Sequence, residues 1–169
     1  MKATVIIVVL TIIVVGGIFL VEGREEGKPP LERCVQHGGI SMHIHQELKI
    51  TVEGTPIAIP ANLGIQPLCM SPIHTHDDTG TVHVEYPTQQ DFTLGQFFSI
   101  WGQALSSTQL MDRKVDDEHQ LVMIVDGNPS TEYEKLVLKD KQKIELRYER
   151  KGPPVEPATT ESNTNVAPQ

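Results

Sequence analysis

Three histidines and a glutamate fall within the segment Ile73-His74-Thr75-His76-Asp77-Asp78-Thr79-Gly80-Thr81-Val82-His83-Val84-Glu85-Tyr86. Imidazole nitrogens are preferred ligands of borderline divalent metals, which they hold at about 2 Å. The chemistry therefore depends on whether local structure brings these rings together. Two runs rich in β-branched residues, alternating polar with apolar, flank Asp-Asp-Thr-Gly, which is the pattern of a β-hairpin. Pairing the runs around a two- or four-residue turn sets His74 opposite His83 and His76 opposite Thr81. Side chains alternate faces with period two, so His74, His76, His83 and Glu85 share one face. Ile73, Val82, Val84 and Tyr86 are left for a core.

A second His-x-His lies upstream, in a predicted strand from Met42 to Glu53. Met42, Ile44, Leu48, Ile50 and Val52 alternate with His43, His45, Glu47, Lys49, Thr51 and Glu53, and only Gln46 interrupts the apolar face. His43 and His45 thus join the first set or form a second site. The competing reading is a set of solvated histidines on the polar face of a sheet. Asp77, Asp78, Glu47 and Glu85 could add ligands or hold ring tautomers. Turn chemistry for the aspartates and a solvated face for the glutamates explain them equally well. His37 and His119 stand apart, and His119 is expected in an exposed charged loop.

The two cysteines, Cys34 and Cys69, are not in a Cys-x-x-Cys arrangement, and outside the cytoplasm they read as a structural disulfide. The sharper alternative makes Cys69 or Met70 a soft copper ligand, since both lie just before His74. Cys34-Val35-Gln36-His37 lacks the second cysteine needed for covalent haem attachment.

The surrounding elements must position these rings. Glu53-Gly54-Thr55-Pro56 is a turn signal, followed by a short strand Ile57-Ala58-Ile59-Pro60 confined to an edge by its proline. After Pro87, Thr93 and Gln96 form a capping box, and Phe92 with Phe97 can staple the start of a helix. Leu94, Phe97, Phe98, Trp101 and Leu105 follow the helical period, a stripe suited to packing on a sheet. Gly102 marks the helix end. Residues 105–119 are expected to be irregular. Leu121-Val122-Met123-Ile124-Val125 reads as a central strand, Asp126-Gly127-Asn128-Pro129 as a turn, and Leu136-Val137-Leu138 as a short strand or bend. Ile144, Leu146 and Tyr148 face inward from a last strand. The expected fold class is α+β, a mixed and mostly antiparallel sheet packed on one amphipathic helix, with a β-grasp-like order.

The ends differ from this domain. Ala3 to Val21 is an uncharged apolar run long enough to cross a bilayer. Residues 1–23 are therefore expected to be an uncleaved signal anchor, a transmembrane helix, rather than a cleaved signal peptide. Lys2 before the run, and Glu22, Glu25 and Glu26 after it, put the N-terminus inside and the rest outside the cytoplasm. Residues 24–33 form a spacer, residues 34–150 the His-rich extracytoplasmic domain, and residues 151–169 a disordered tail with too few apolar groups to fold. A formal net charge of −8 and the lack of a basic stripe exclude nucleic acid as a partner.

Several resemblances follow from these residues. The spacing His74-x-His76 with His83 is similar to the ligand pattern of α-class carbonic anhydrases, as geometry only. Cupins also place His-x-His on a strand, but their later glutamate and Gly-Pro-rich motif have no counterpart here. Val125-Asp126-Gly127 with Leu138 to Leu146 is similar to the closing strands of ubiquitin-like sulfur carriers, whose Gly-Gly terminus is absent; this bears on fold alone. His74-Thr75-His76-Asp77-x-x-Gly80-x-x-His83-x-Glu85 and Leu94-Gly95-Gln96-Phe97-Phe98-x-x-Trp101-Gly102 recur together in one family. With His43-x-His45 and Ile59-Pro60-Ala61-Asn62-x-Gly64-Ile65, the chain resembles this group of small membrane-anchored or secreted prokaryotic proteins, itself uncharacterised. The resemblance implies an extracytoplasmic setting and brings no activity or metal with it.

The expected function is a membrane-anchored extracytoplasmic protein that binds copper or zinc through His74, His76 and His83, with His43 and His45. The alternatives are a metal-dependent hydrolase, with three histidines around an open position and Glu85 or Glu47 as base, or a metal-free module that contacts another envelope protein through a pH-responsive histidine surface.

Overall fold

The computed structural model describes residues 29–36 and 38–152. The expected signal anchor, residues 24–28 of the spacer, most of the tail, and His37 lie outside the described residues. Among the described residues no helix is long and apolar enough to cross a membrane.

The fold of the described residues is α+β, a mixed and mostly antiparallel sheet with one α-helix. Strand β1 (Met42–Val52) is the longest, and its alternation of apolar and polar residues buries Leu48 and Ile50 on one side. A two-residue turn, Glu53-Gly54, joins it to β2 (Thr55–Ile57). Both turn residues have positive φ, as a tight hairpin with twisted strands requires. The expected strand at Ile57–Pro60 therefore begins earlier and stops before the proline. A small ladder of β3 (Ile65–Gln66) and β4 (Cys69–Met70) follows, then β5 (Ile73–His74) and β6 (Thr81–Tyr86).

Helix α1 (Leu94–Trp101) begins as its capping box predicts: the Gln96 amide donates to the Thr93 hydroxyl, and the Thr93 amide donates to the Gln96 side-chain oxygen. Gly102 closes it in the left-handed conformation. Residues 105–119, expected to be irregular, instead form a three-stranded meander of β7 (Leu105–Ser106), β8 (Gln109–Leu110) and β9 (Arg113–Lys114). These strands are two residues each, too short for a period-two pattern to register. β10 (His119–Val125), β11 (Asn128–Ser130) and β12 (Lys143–Arg150) complete the described elements. Leu136 and Leu138 are buried on either side of an isolated bridge from Val137 to Thr93.

The main sheet runs β11-β10-β12-β1-β6-β5, with β2 also on β1. The pair β1–β12 is parallel and all other pairs are antiparallel. This corrects the expectation for Leu121–Val125: β10 lies one strand from the edge, because the parallel pairing of β1 with β12 takes the centre. One face of the sheet and α1 enclose the core. Leu48, Ile50, Val82, Val84, Ile144 and Leu146 meet Leu94, Phe97 and Phe98 there, all at most 2 % exposed. Burying each of these aromatic rings contributes about 2–3 kcal/mol. Gln46 is also buried on this face, its amide without a hydrogen-bond partner among the described residues.

One glycine matters for the site. Gly80 precedes β6 at φ 88°, and a Cβ there would lie 2.6 Å from the Leu48 carbonyl oxygen. The Gly80 carbonyl in turn accepts from the Leu48 amide at 2.9 Å. This close approach sets where β6 begins beside β1, and with it the register of His83.

Candidate metal centre

The register sets His74 opposite His83, as the spacing predicts, and does more. β6 lies between β5 and β1. His83 pairs with His74 across one edge and with His45 across the other, and Glu85 pairs with His43. With period-two alternation, His43, His45, His74 and His83 lie on the face opposite the core. The His83 ring is 4.5 Å from that of His45 and 4.6 Å from that of His76, edge-on to both. It stacks against His74 at 5.4 Å.

Two overlapping groups result, each with ligand atoms within 4.8 Å of one another: His74, His76, His83 and Glu85, and His43, His45 and His83. All five histidines named from sequence are therefore brought together. Glu85, placed on the same face from sequence and weighed as an added ligand, tautomer partner or base, joins them. The other three acidic candidates do not: Asp77 accepts hydrogen bonds from Thr79, Glu47 pairs with Lys49, and Asp78 belongs to neither group. The disulfide Cys34–Cys69 is formed, so Cys69 is not a thiolate ligand.

His74 is oriented from behind. Its Nδ1 is 3.0 Å from the Ser71 carbonyl oxygen, which can only accept, so Nδ1 carries the proton and Nε2 presents its lone pair to the site. This is the arrangement that fixes the tautomer of a metal-bound histidine. Its Nε2 lies 3.2 Å from His76 Nε2. Two ligands of a tetrahedral ion at about 2.0–2.1 Å would be about 3.3 Å apart, so these nitrogens already have the separation of one coordination edge. Glu85 Oε1 lies 3.9 Å from His74 Nε2 and 3.1 Å from His43 Nε2.

Burial grades the site. His74 and Glu85 are essentially inaccessible, at 0 % and 1 %, while the His43 side chain is 51 % exposed. The competing reading of a solvated polar face thus fails at His74 and Glu85. The hairpin expectation also needs correcting: β5 has only two residues, and residues 75–80 form a longer connection. His76 is not paired with Thr81 but reaches the site from that connection. Thr75 is the reason, because it leaves the ladder to bond elsewhere: its hydroxyl donates to the Pro60 carbonyl and accepts from the Leu63 amide, and its own amide donates to the Leu63 carbonyl.

His119 is also misplaced by the sequence reading. It opens β10, stacks on Tyr148, and holds Asp116 and Glu53 with its two ring nitrogens. It belongs to neither ligand group.

The electrostatics suit a cation. Burial pushes the His83 imidazole down to about 4, and the neighbouring His45, His76 and His74 oppose its protonation further, against the pull of Glu85. Asp77 is held below the usual carboxylate range by the Thr79 hydroxyl and amide, with smaller help from His83 and His76. His83 is therefore a neutral ligand throughout the physiological range. The sign for stability follows from proton uptake. Below 6.5 the unfolded ring gains a proton that the folded ring refuses until about 4. Metal-free protein is thus expected to lose stability as pH falls from 6.5 to 4, by on the order of 2 kcal/mol after allowing for partial solvation. Thermal melts in the presence of a chelator check this, and His83→Asn should reduce the slope.

No family model, curated protein or solved structure matches the chain. The functional argument therefore rests on the geometry of these six side chains. Sequence reasoning missed one contributor, Ser71, whose part is played by a backbone carbonyl and so has no residue signature.

Proposed function

We propose that this protein is a membrane-anchored, extracytoplasmic copper- or zinc-binding protein that uses its strand histidines as ligands. The observation that carries the reading is His74 Nε2, turned into the site by the Ser71 carbonyl and standing 3.2 Å from His76 Nε2. Imidazole-rich sites suit both metals, and the general affinity order favours copper(II). Capture, delivery or sensing of the ion at the cell surface is the role this placement fits. The anchor rests on the apolar run from Ala3 to Val21. The disulfide supports an oxidising compartment, in keeping with the resemblance to anchored or secreted prokaryotic proteins. The strand order, with the first and last long strands parallel at the centre, supports a β-grasp-like architecture.

The test is elemental analysis of the full-length chain, purified in detergent without a polyhistidine tag, loaded with Cu(II) or Zn(II) and desalted. Stoichiometric metal is expected, and the double variant His74→Ala/His83→Ala should retain almost none. Wild-type protein that takes up neither metal, or a double variant that loads like wild type, would sink the proposal.

A further inference from the structure

The two ligand groups are not independent, because β6 supplies a residue to both. His83 is common to them, with His74 paired across one edge of the strand and His45 across the other. Glu85, two residues on and on the same face, is likewise placed between the groups: its Oε1 is 3.1 Å from His43 Nε2 and 3.9 Å from His74 Nε2. The two outer sides of this strand each bring a histidine pair, His74 with His76 and His43 with His45.

A single ion has no use for this arrangement. One tetrahedral or five-coordinate ion is satisfied by the four side chains of the first group, which would leave His43 only its contact with Glu85 and His45 unused as a ligand. An imidazole has two nitrogens and a carboxylate two oxygens, so a histidine and a glutamate on a middle strand can each serve ions on both sides. His83 Nδ1 is buried with no hydrogen-bond partner among the described residues, a costly state for a nitrogen unless something else binds it.

We infer that the centre is dinuclear: an inner ion at His74 and His76 and an outer ion at His43 and His45 share His83 and Glu85. When both ring nitrogens of His83 bind metal, the remaining N–H proton passes to solvent. The inner ion is enclosed by His74 and Glu85. The outer ion lies beside the half-exposed His43, so it is the one that exchanges with solution and meets any incoming ligand.

This inference rests on the metal-binding reading above, and its test separates the two. The full-length chain is titrated with Cu(II), and bound copper is counted and followed by electron paramagnetic resonance. Two ions per chain are expected, with a resonance broadened or lost through coupling between them. The variant His43→Ala/His45→Ala should hold one ion and give an ordinary isolated Cu(II) signal, and both changes lie at the accessible end of the site. A chelator should remove the first ion of the wild type much faster than the second. One ion per chain in the wild type, or two ions without coupling, would overturn the shared centre and leave the simpler metal-binding reading standing. No uptake at all would overturn both.

Discussion

Replacement of His83 by alanine is expected to weaken copper or zinc binding by about 100-fold or more, a larger loss than that from any other single histidine. Even residues that only orient a ligand cost 10–100-fold when removed, and His83 is in both ligand groups. The effect has a clean control. His119 is engaged with Asp116, Glu53 and Tyr148 and is in neither group, so His119→Ala should leave metal affinity unchanged. Competition against a chromophoric chelator measures both. His76→Ala should fall between them, since that ring reaches the site from a connecting segment and serves one group only. The same His83→Ala protein, stripped of metal, should not be much less stable below pH 6, because the change removes a partly buried imidazole that resists protonation. Affinity equal to wild type in His83→Ala would show that the strand pairing does not create the site.

Loss of the disulfide is the second large effect, and it acts on the fold. Cys34 and Cys69 close a loop with a sequence separation of 35, which in the chain-entropy account is worth about 3–4 kcal/mol. For a domain of this size that corresponds to a fall in melting temperature of about 10–20 °C. The bridge ties the segment before β1 to β4, where the Val35 amide also donates to the Met70 carbonyl at 2.8 Å. The next residue is Ser71, the acceptor that orients His74. Its amide is held separately by the Gly64 carbonyl at 2.8 Å. Cys34→Ser/Cys69→Ser should therefore lose most of this stability yet keep metal binding within about tenfold when assayed well below its melting temperature, given that disturbing an orienting partner costs 10–100-fold. Melting curves of wild type, reduced wild type and the double variant check the first part. A shift of only one or two degrees would mean that the loop is already constrained in the unfolded chain.

These two expectations bear on different levels of the same object. The histidine change tests the register of three strands, and the cysteine change tests the segment that closes around β4 and leads into β5. A result in which metal binding and stability always fell together would argue that the site is simply part of the core. A result in which they separate would support a site held on an independently stable sheet.

What was legible from sequence was what depends on period and local rule. The alternation around β1 and β6 sorted core from histidine face correctly, since a strand has only two faces. The Thr93–Gln96 capping box and Gly102 set both ends of α1, because helix ends are decided by a few adjacent residues. The pairing of His74 with His83 followed from the parity of the intervening segment, which holds for the six-residue connection as it would for a shorter one. Beyond the hairpins, the sequence alone did not determine which strands are neighbours. The parallel pairing of β1 with β12 joins residues about a hundred positions apart, and no local pattern encodes it. That pairing displaced Leu121–Val125 from the centre, while antiparallel pairing on its other edge put β1 against β6. Only then do His43 and His45 meet His83, and only then are Glu85 and His74 enclosed. That His43, His45, His74 and His83 share a face was readable from two-residue periodicity; two overlapping groups of candidate ligands, with a buried end and an accessible end, were decided by tertiary pairing.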